Sequence, residues 1–371
     1  MQAATGLHGG HDAAPDRNGL VKFSLAINHE RMDPSVDMRA VAAHTLEMVQ
    51  MAEAAGFDIA WAAEHHAIEM TIAPDPFALL TWWAAHTSTI RLGTACVVGA
   101  YWHPIHLAGA AAQFDLLSGG RLEFGIGKGA YQREFDRRSA GLDSASAGAA
   151  LRESLPAVQA LWAGDYAHEG DRWSFPTSTS CPKPVQPGGP PVWVAARDPD
   201  TYDWAVARGC NIMCWPLTRP MSELEAYVGR MDDALAKAPG VPRPRMTAMR
   251  YGAVWHDERD ADLYIGSLQR QAGQFENLFK QLGTVDNGFA ETVDLDSLAN
   301  RDEYQPAMLR ENLLFGTPDE VIGKVRLYEA LGVDVMYAAS YGAPMDAQKR
   351  SLQLFIDEVM PAFAEQAGAT S

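Results

Sequence analysis

The sequence predicts an α/β protein, a (β/α)8 TIM barrel with insertions, and three observations carry that expectation. Eight short apolar runs alternate with helical stretches, a pattern that suits a closed parallel barrel better than an open doubly wound sheet. No Gly-x-Gly-x-x-Gly opens an early strand–helix unit, which weakens a dinucleotide-binding alternative. The length, 371 residues with 47% hydrophobic, suits one barrel domain over 21–363. Extensions outside the fold are expected over 1–20 and 364–371.

The expected strands are 22–27, 59–63, 91–97, 121–126, 191–195, 211–215, 246–255 and 335–339. Between them the pattern predicts helices over 37–55, 76–87, 144–162, 201–208, 221–235, 259–282 and 318–331, with 346–360 closing the chain. Gly56, Gly209 and Gly332 follow helices where a left-handed residue ends the last turn. Thr317-Pro318-Asp319-Glu320 is a helix start, with Thr317 as N-cap and Glu320 completing a capping box. Three connections are longer than strand–helix loops usually are: 98–113, 164–190 with a hairpin expected over 166–175, and the polar 283–316. Insertions at the C-terminal end of barrel strands form lids and pockets, and 283–316 is the candidate lid.

Composition narrows the function. Lys+Arg number 30 against 47 Asp+Glu, a net charge of −17, which repels phosphodiester backbones and argues against nucleic acid. One local basic site for a phosphorylated cofactor remains compatible with it. No apolar run reaches the ~18 residues that a membrane span needs. The first twenty residues lack the apolar stretch of a signal peptide, and His8 and His11 within them are given no role. Cys96, Cys181, Cys210 and Cys214 are too few and scattered to staple the chain, which points to a reducing cytoplasm. Cys210 and Cys214, around an apolar strand, read as small core residues.

Four segments could carry chemistry. Glu64-His65-His66 directly follows the second strand, at the face where barrels place catalytic groups. Neighbouring residues of a strand point to opposite sides, so one histidine enters the mouth; an imidazole there suits acid–base work near neutrality, or is an ordinary loop histidine. His103-Pro104-Ile105-His106, with Glu64 and His65, offers ligand-type side chains, but the spacing matches no zinc pattern and no metal site is assigned. Gly125-Ile126-Gly127-Lys128-Gly129 ends the fourth strand; glycines let backbone amides approach a ligand and the lysine supplies a point charge for a phosphate. Ala196-Arg197-Asp198-Pro199-Asp200-Thr201 opens the helix after the fifth strand, with Thr201 or Asp200 as the expected cap and an anion site or a solvated Arg197 as the two readings. Trp102 and Trp215, with His66 and His103, fall nearest the expected mouth and are candidates for a substrate pocket.

Taken in order, Ala63-Glu64-His65-His66, Leu92-Gly93-Thr94-Ala95, His103-Pro104, Leu117-Ser118-Gly119-Gly120-Arg121, Phe124-Gly125-Ile126-Gly127-Lys128-Gly129, Pro190-Pro191-Val192-Trp193 and Phe315-Gly316-Thr317-Pro318 resemble the bacterial-luciferase-like flavin-dependent monooxygenases. The resemblance implies a modified TIM barrel, dimeric through helices following the early strands. It implies reduced FMN supplied by an NAD(P)H:flavin reductase, and O2 used through a flavin C4a-peroxide to oxygenate a small organic molecule. It places His65 near the flavin as the catalytic residue. It places Glu64, Ala95, Cys96, Gly127, Lys128, Gly129, Arg197, Asp198 and Thr201 at the cofactor, with a non-prolyl cis bond at Ala95-Cys96. The light-emitting members carry Cys-Arg where this chain has Gly127-Lys128, and an acid followed by Ser at Arg197-Asp198, so oxygenation is expected rather than light. An F420-dependent oxidoreductase of the same fold and a non-catalytic flavin-binding protein are the alternatives.

Overall fold

The computed structural model describes residues 20–138 and 143–364, so the expected extensions fall, apart from Leu20 and Ala364, outside the described residues. Eight parallel strands form the barrel: β1 (Phe23–Ile27), β2 (Ile59–Ala62), β3 (Arg91–Thr94), β4 (Leu122–Gly127), β5 (Val192–Ala195), β6 (Asn211–Cys214), β7 (Met246–Val254) and β8 (Asp334–Ala339). β8 pairs with β1 in the register Phe23 to Val335 and with β7 in the register Ala248 to Val335, which closes the ring. Each strand expected from the sequence is present, with ends shifted by a few residues. The run 91–97 is the exception in form: β3 ends at Thr94, the Ala95–Cys96 bond is cis, and Val97–Val98 continues along β4. A further strand, Leu314–Gly316, adds to the end of β7 outside the ring.

The helices are α1 (Met38–Ala54), α2 (Pro76–Ala84), α3 (Pro104–Leu117), α4 (Gln132–Arg138), α5 (Ala147–Ala163), α6 (Pro199–Val206), α7 (Met221–Lys237), α8 (Ala261–Lys280), α9 (Pro306–Asn312), α10 (Pro318–Leu331) and α11 (Met345–Leu354). α3 corrects the reading of 98–113 as a long connection. Its apolar residues run round the helix instead of along one stripe, so periodicity gives no signal. The capping box at Thr317 and Glu320 is formed, and Gly56, Gly209 and Gly332 are left-handed. The hairpin after α5 pairs Tyr166–Glu169 with Ser174–Ser178. No helix among the described residues is long and apolar enough to cross a membrane.

Two layers of side chains fill the fold. Between strands and helices lies a large aliphatic and aromatic shell that includes the buried Cys210 and Cys214. Inside the ring, Trp61 meets Trp193 edge-on at 5.5 Å, in space that only glycine at 93 leaves open; a Cβ there would lie 2.3 Å from the Trp61 ring. Below them, Arg245 bridges Asp58 at 2.7 Å and Asp334 at 2.8 Å and lies over the Trp193 ring. This charged plug closes the N-terminal end, so the barrel opens only at the ends of its strands where the loops gather.

Candidate active site

The segments after β2 to β6 converge on a cavity of about 570 Å³ at that open end, within the range of small-molecule sites. Its floor is Ala95, Cys96, Gly127 and Ala195, with Met213, Met249 and Met336 rising from the barrel interior. Close packing keeps the floor low: a Cβ on Gly127 would meet Cys96 Sγ at 2.4 Å and Ala195 Cβ at 3.2 Å. Burial, and secondarily the Glu64 carboxylate, push the Cys96 thiol up to about 12, so it stays protonated.

His65 lines the cavity, and its Nδ1 lies 3.2 Å from Glu134 Oε2 on α4. Glu134 is 2% exposed and also accepts the backbone N–H of His66 at 2.6 Å. With Glu134 as an acceptor, the neutral imidazole carries its proton on Nδ1, and Nε2 keeps its lone pair. Among the described residues Nε2 has no hydrogen-bond partner. The Tyr131 ring lies 5.0 Å from the His65 ring; burial first and Glu134 second raise its phenol well above the usual range, so it remains a neutral donor. Sequence reasoning missed Glu134 because it stands 69 residues from His65; the fold alone joins them.

Glu64 also reaches the cavity wall, but its carboxylate is spent on the protein. It accepts from Val98 N at 2.7 Å, Trp102 Nε1 at 3.0 Å and His66 Nε2 at 2.7 Å. This knot ties the end of β2 to the segment that forms the floor. It also holds Trp102 and His66 away from the cavity, which these two and His103 do not line, contrary to the pocket role expected for them. Trp102 is turned to Glu64, His66 lies between Glu64 and Arg138, and His103 caps α3 by accepting Ile105 N at 3.3 Å. Trp215 does line it, packed edge-on against Phe275 at 5.4 Å. Phe275 and Phe279 of α8 complete that wall. No described residue of 283–316, the expected lid, lines the cavity; Asn277 and the loop at Glu69 hold that segment to one side.

The opposite end of the cavity is cationic. Lys128, Arg197 and Arg152 line it, with Gly129 and Thr201 beside them. Arg152, on α5, has no counterpart among the expected residues. The helix cap differs from expectation: Asp198 starts α6, accepting Thr201 N at 2.9 Å and the Thr201 hydroxyl at 2.8 Å. Its carboxylate is held below the usual range by the Thr201 hydrogen bonds and, more weakly, by Lys128, which together outweigh burial. Three basic side chains at one end and a flat apolar and aromatic chamber at the other fit a phosphorylated planar ring such as FMN.

The family model for luciferase-like monooxygenases matches residues 21–335. The oxygenase component of the flavin-dependent trigonelline monooxygenase of Acinetobacter baylyi is 38% identical over 346 residues, 93% of this chain and 96% of its own. A monooxygenase from Streptomyces bottropensis shares the fold with a TM-score of 0.76 at 24% identity, over 92% of this chain and 100% of its own. The oxygenating constituent of 3,6-diketocamphane monooxygenase from Pseudomonas putida, solved with FMN, does so with a TM-score of 0.74 at 20% identity, over 93% and 99%. With the family model spanning most of the barrel, the chain belongs to the luciferase-like monooxygenases.

Proposed function

We propose that this monooxygenase is the oxygenase half of a two-component cytoplasmic system. It takes reduced FMN from a separate NAD(P)H:flavin reductase and uses O2 to oxygenate a small nitrogen-heteroaromatic compound. The observation that supports this most is the pairing, in one cavity, of a cationic end with a histidine whose Nδ1 is engaged by Glu134. Reduced FMN, when bound, supplies the electrons that activate O2, so that one oxygen atom enters substrate and the other leaves as water. Lys128, Arg197 and Arg152 hold the phosphate. The floor at Ala95, Cys96 and Gly127 and the methionines above it support the ring. His65 holds or moves a proton at Nε2, while Trp215, Phe275 and Phe279 keep bulk water from the reacting face.

The aromatic wall and the nearby Glu134 suit a flat substrate with cationic character, and the relative from Acinetobacter baylyi is named for trigonelline. The test supplies reduced FMN through an added reductase and NADH, with trigonelline, decanal and a bicyclic ketone as probes under 18O2. Trigonelline is expected to gain labelled oxygen and to lower H2O2 release. Consumption of reduced F420 without O2 would instead establish the deazaflavin reading, and flavin binding without turnover of any probe would establish the non-catalytic one.

Replacing Lys128 with alanine removes one charge-assisted phosphate contact and is expected to weaken FMN binding roughly 10- to 100-fold, measured by flavin fluorescence quenching. Unchanged affinity would move the phosphate elsewhere. The exposed Leu116 and Leu117 at the end of α3, with the exposed Val185 held to that helix by its N–H on Asp115, support a homodimer through that helix; sedimentation at twice the monomer mass is the expected result.

A further inference from the structure

A second cavity of about 310 Å³ lies between the end of β1, the first turns of α1 and the turn joining β8 to α11. It shares no lining residue with the larger one. Two aromatic rings separate them: Tyr341 of the second cavity packs on Tyr251 at 5.7 Å, and Tyr251 on Trp215 at 5.9 Å.

The wall of this cavity is rich in acceptors. Glu30 Oε1 accepts Gly342 N at 2.5 Å and lies 3.4 Å from Gln348 Nε2, while Oε2 has only the Asn28 amide at 3.3 Å. All three partners are neutral, and no ion pair to Glu30 forms among the described residues. His44 is 8% exposed; its Nε2 meets Gln348 Oε1 at 2.9 Å, while its Nδ1 is buried away from the cavity surface without a partner. His29 Nδ1 meets Thr45 Oγ1 at 3.0 Å, and burial lowers this imidazole to about 4, so it is uncharged at neutral pH. On the rim Asp33 is bonded to Ser35, and Arg270, exposed and bonded to the neutral Ser267, keeps its charge in solvent and forms no ion pair with Glu30. The remaining wall is apolar, with Val36, Val41 and Met48.

We propose that this cavity binds a small protonated alkylamine. A carboxylate in the cavity wall that is bonded only to neutral amides calls for a ligand that brings both positive charge and N–H donors, and an ammonium group has three donors and no acceptor. The alkyl part lies against Val41 and the thioether of Met48, which adapts to irregular shapes. An anion meets the Glu30 charge, and a neutral alcohol leaves that charge uncompensated. Burial pushes the Glu30 carboxyl up to about 7, so at pH 8 an ammonium group meets mainly the carboxylate.

Calorimetric titration of the purified chain with n-butylammonium chloride at pH 8 tests this directly, with and without FMN. Saturable binding is expected, at least tenfold tighter than for pentan-1-ol or butyrate and altered less than twofold by FMN. Glu30→Gln and Val36→Trp, one removing the charge and one filling the mouth, are each expected to weaken it at least tenfold while far-ultraviolet dichroism and thermal unfolding remain cooperative. Equal binding of pentan-1-ol, displacement by FMN, or wild-type affinity in either variant overturns the proposal.

Discussion

Replacing His65 with alanine is expected to lower product formation by about 100-fold or more, the scale of a lost general acid–base group, while FMN affinity stays nearly unchanged. His65 stands apart from the cationic end, so its removal takes no charge from the phosphate. The electrons from reduced FMN are then lost to H2O2 instead of entering substrate, and the ratio of H2O2 to NADH consumed rises toward one. Glu134→Gln provides the contrast. The amide still occupies the space beside Nδ1, but its acceptor oxygen is shared with His66 N, so the tautomer is no longer fixed. A smaller loss, roughly tenfold, with a displaced pH–rate profile is expected there. Normal coupling in His65→Ala would remove this residue from the chemistry.

Glu64→Ala is expected to cost the most stability, about 3–5 kcal/mol, as when one partner of a buried polar network is deleted. Three donors lose their acceptor together: Val98 N, Trp102 Nε1 and His66 Nε2. A fall in the urea midpoint with an unchanged slope measures it. Because Val98 N adjoins the floor segment, flavin binding should weaken in the same variant without any loss of phosphate contacts. A midpoint matching the wild type would show that the knot is dispensable.

The barrel was legible in the sequence because each strand is a short buried run between helices with clear stops, such as Gly332 after α10. α3 was hidden because its outer face is apolar too: Leu107, Ala111 and Phe114 form the buried stripe, but the exposed Leu116 and Leu117 erase the contrast that marks one. The site was legible where function rests on local sequence: Glu64, His65, Lys128 and Arg197 all reach the cavity. It was illegible where direction is decided by a distant partner. Trp102 follows β3 closely in sequence, yet its indole N–H turns to Glu64 instead of the pocket. Glu134 and Arg152 lie on helices after β4, and only closure of the ring brings them to the same chamber. The choice of Asp198 over Asp200 or Thr201 as cap follows from Pro199, whose fixed φ favours the first helical position.

That cap has a consequence for traffic of the cofactor. Asp198 occupies the Thr201 amide with its own carboxylate, so the start of α6 greets an arriving phosphate with a negative charge and one fewer donor. Retention then depends on Lys128, Arg152 and Arg197, all exposed side chains, whose pull is screened by salt and carries little burial to reinforce it. Such a berth suits a passenger more than a resident. The flavin can board reduced and depart oxidised on every cycle, with occupancy set by the supply from the reductase and by the ionic strength of its surroundings.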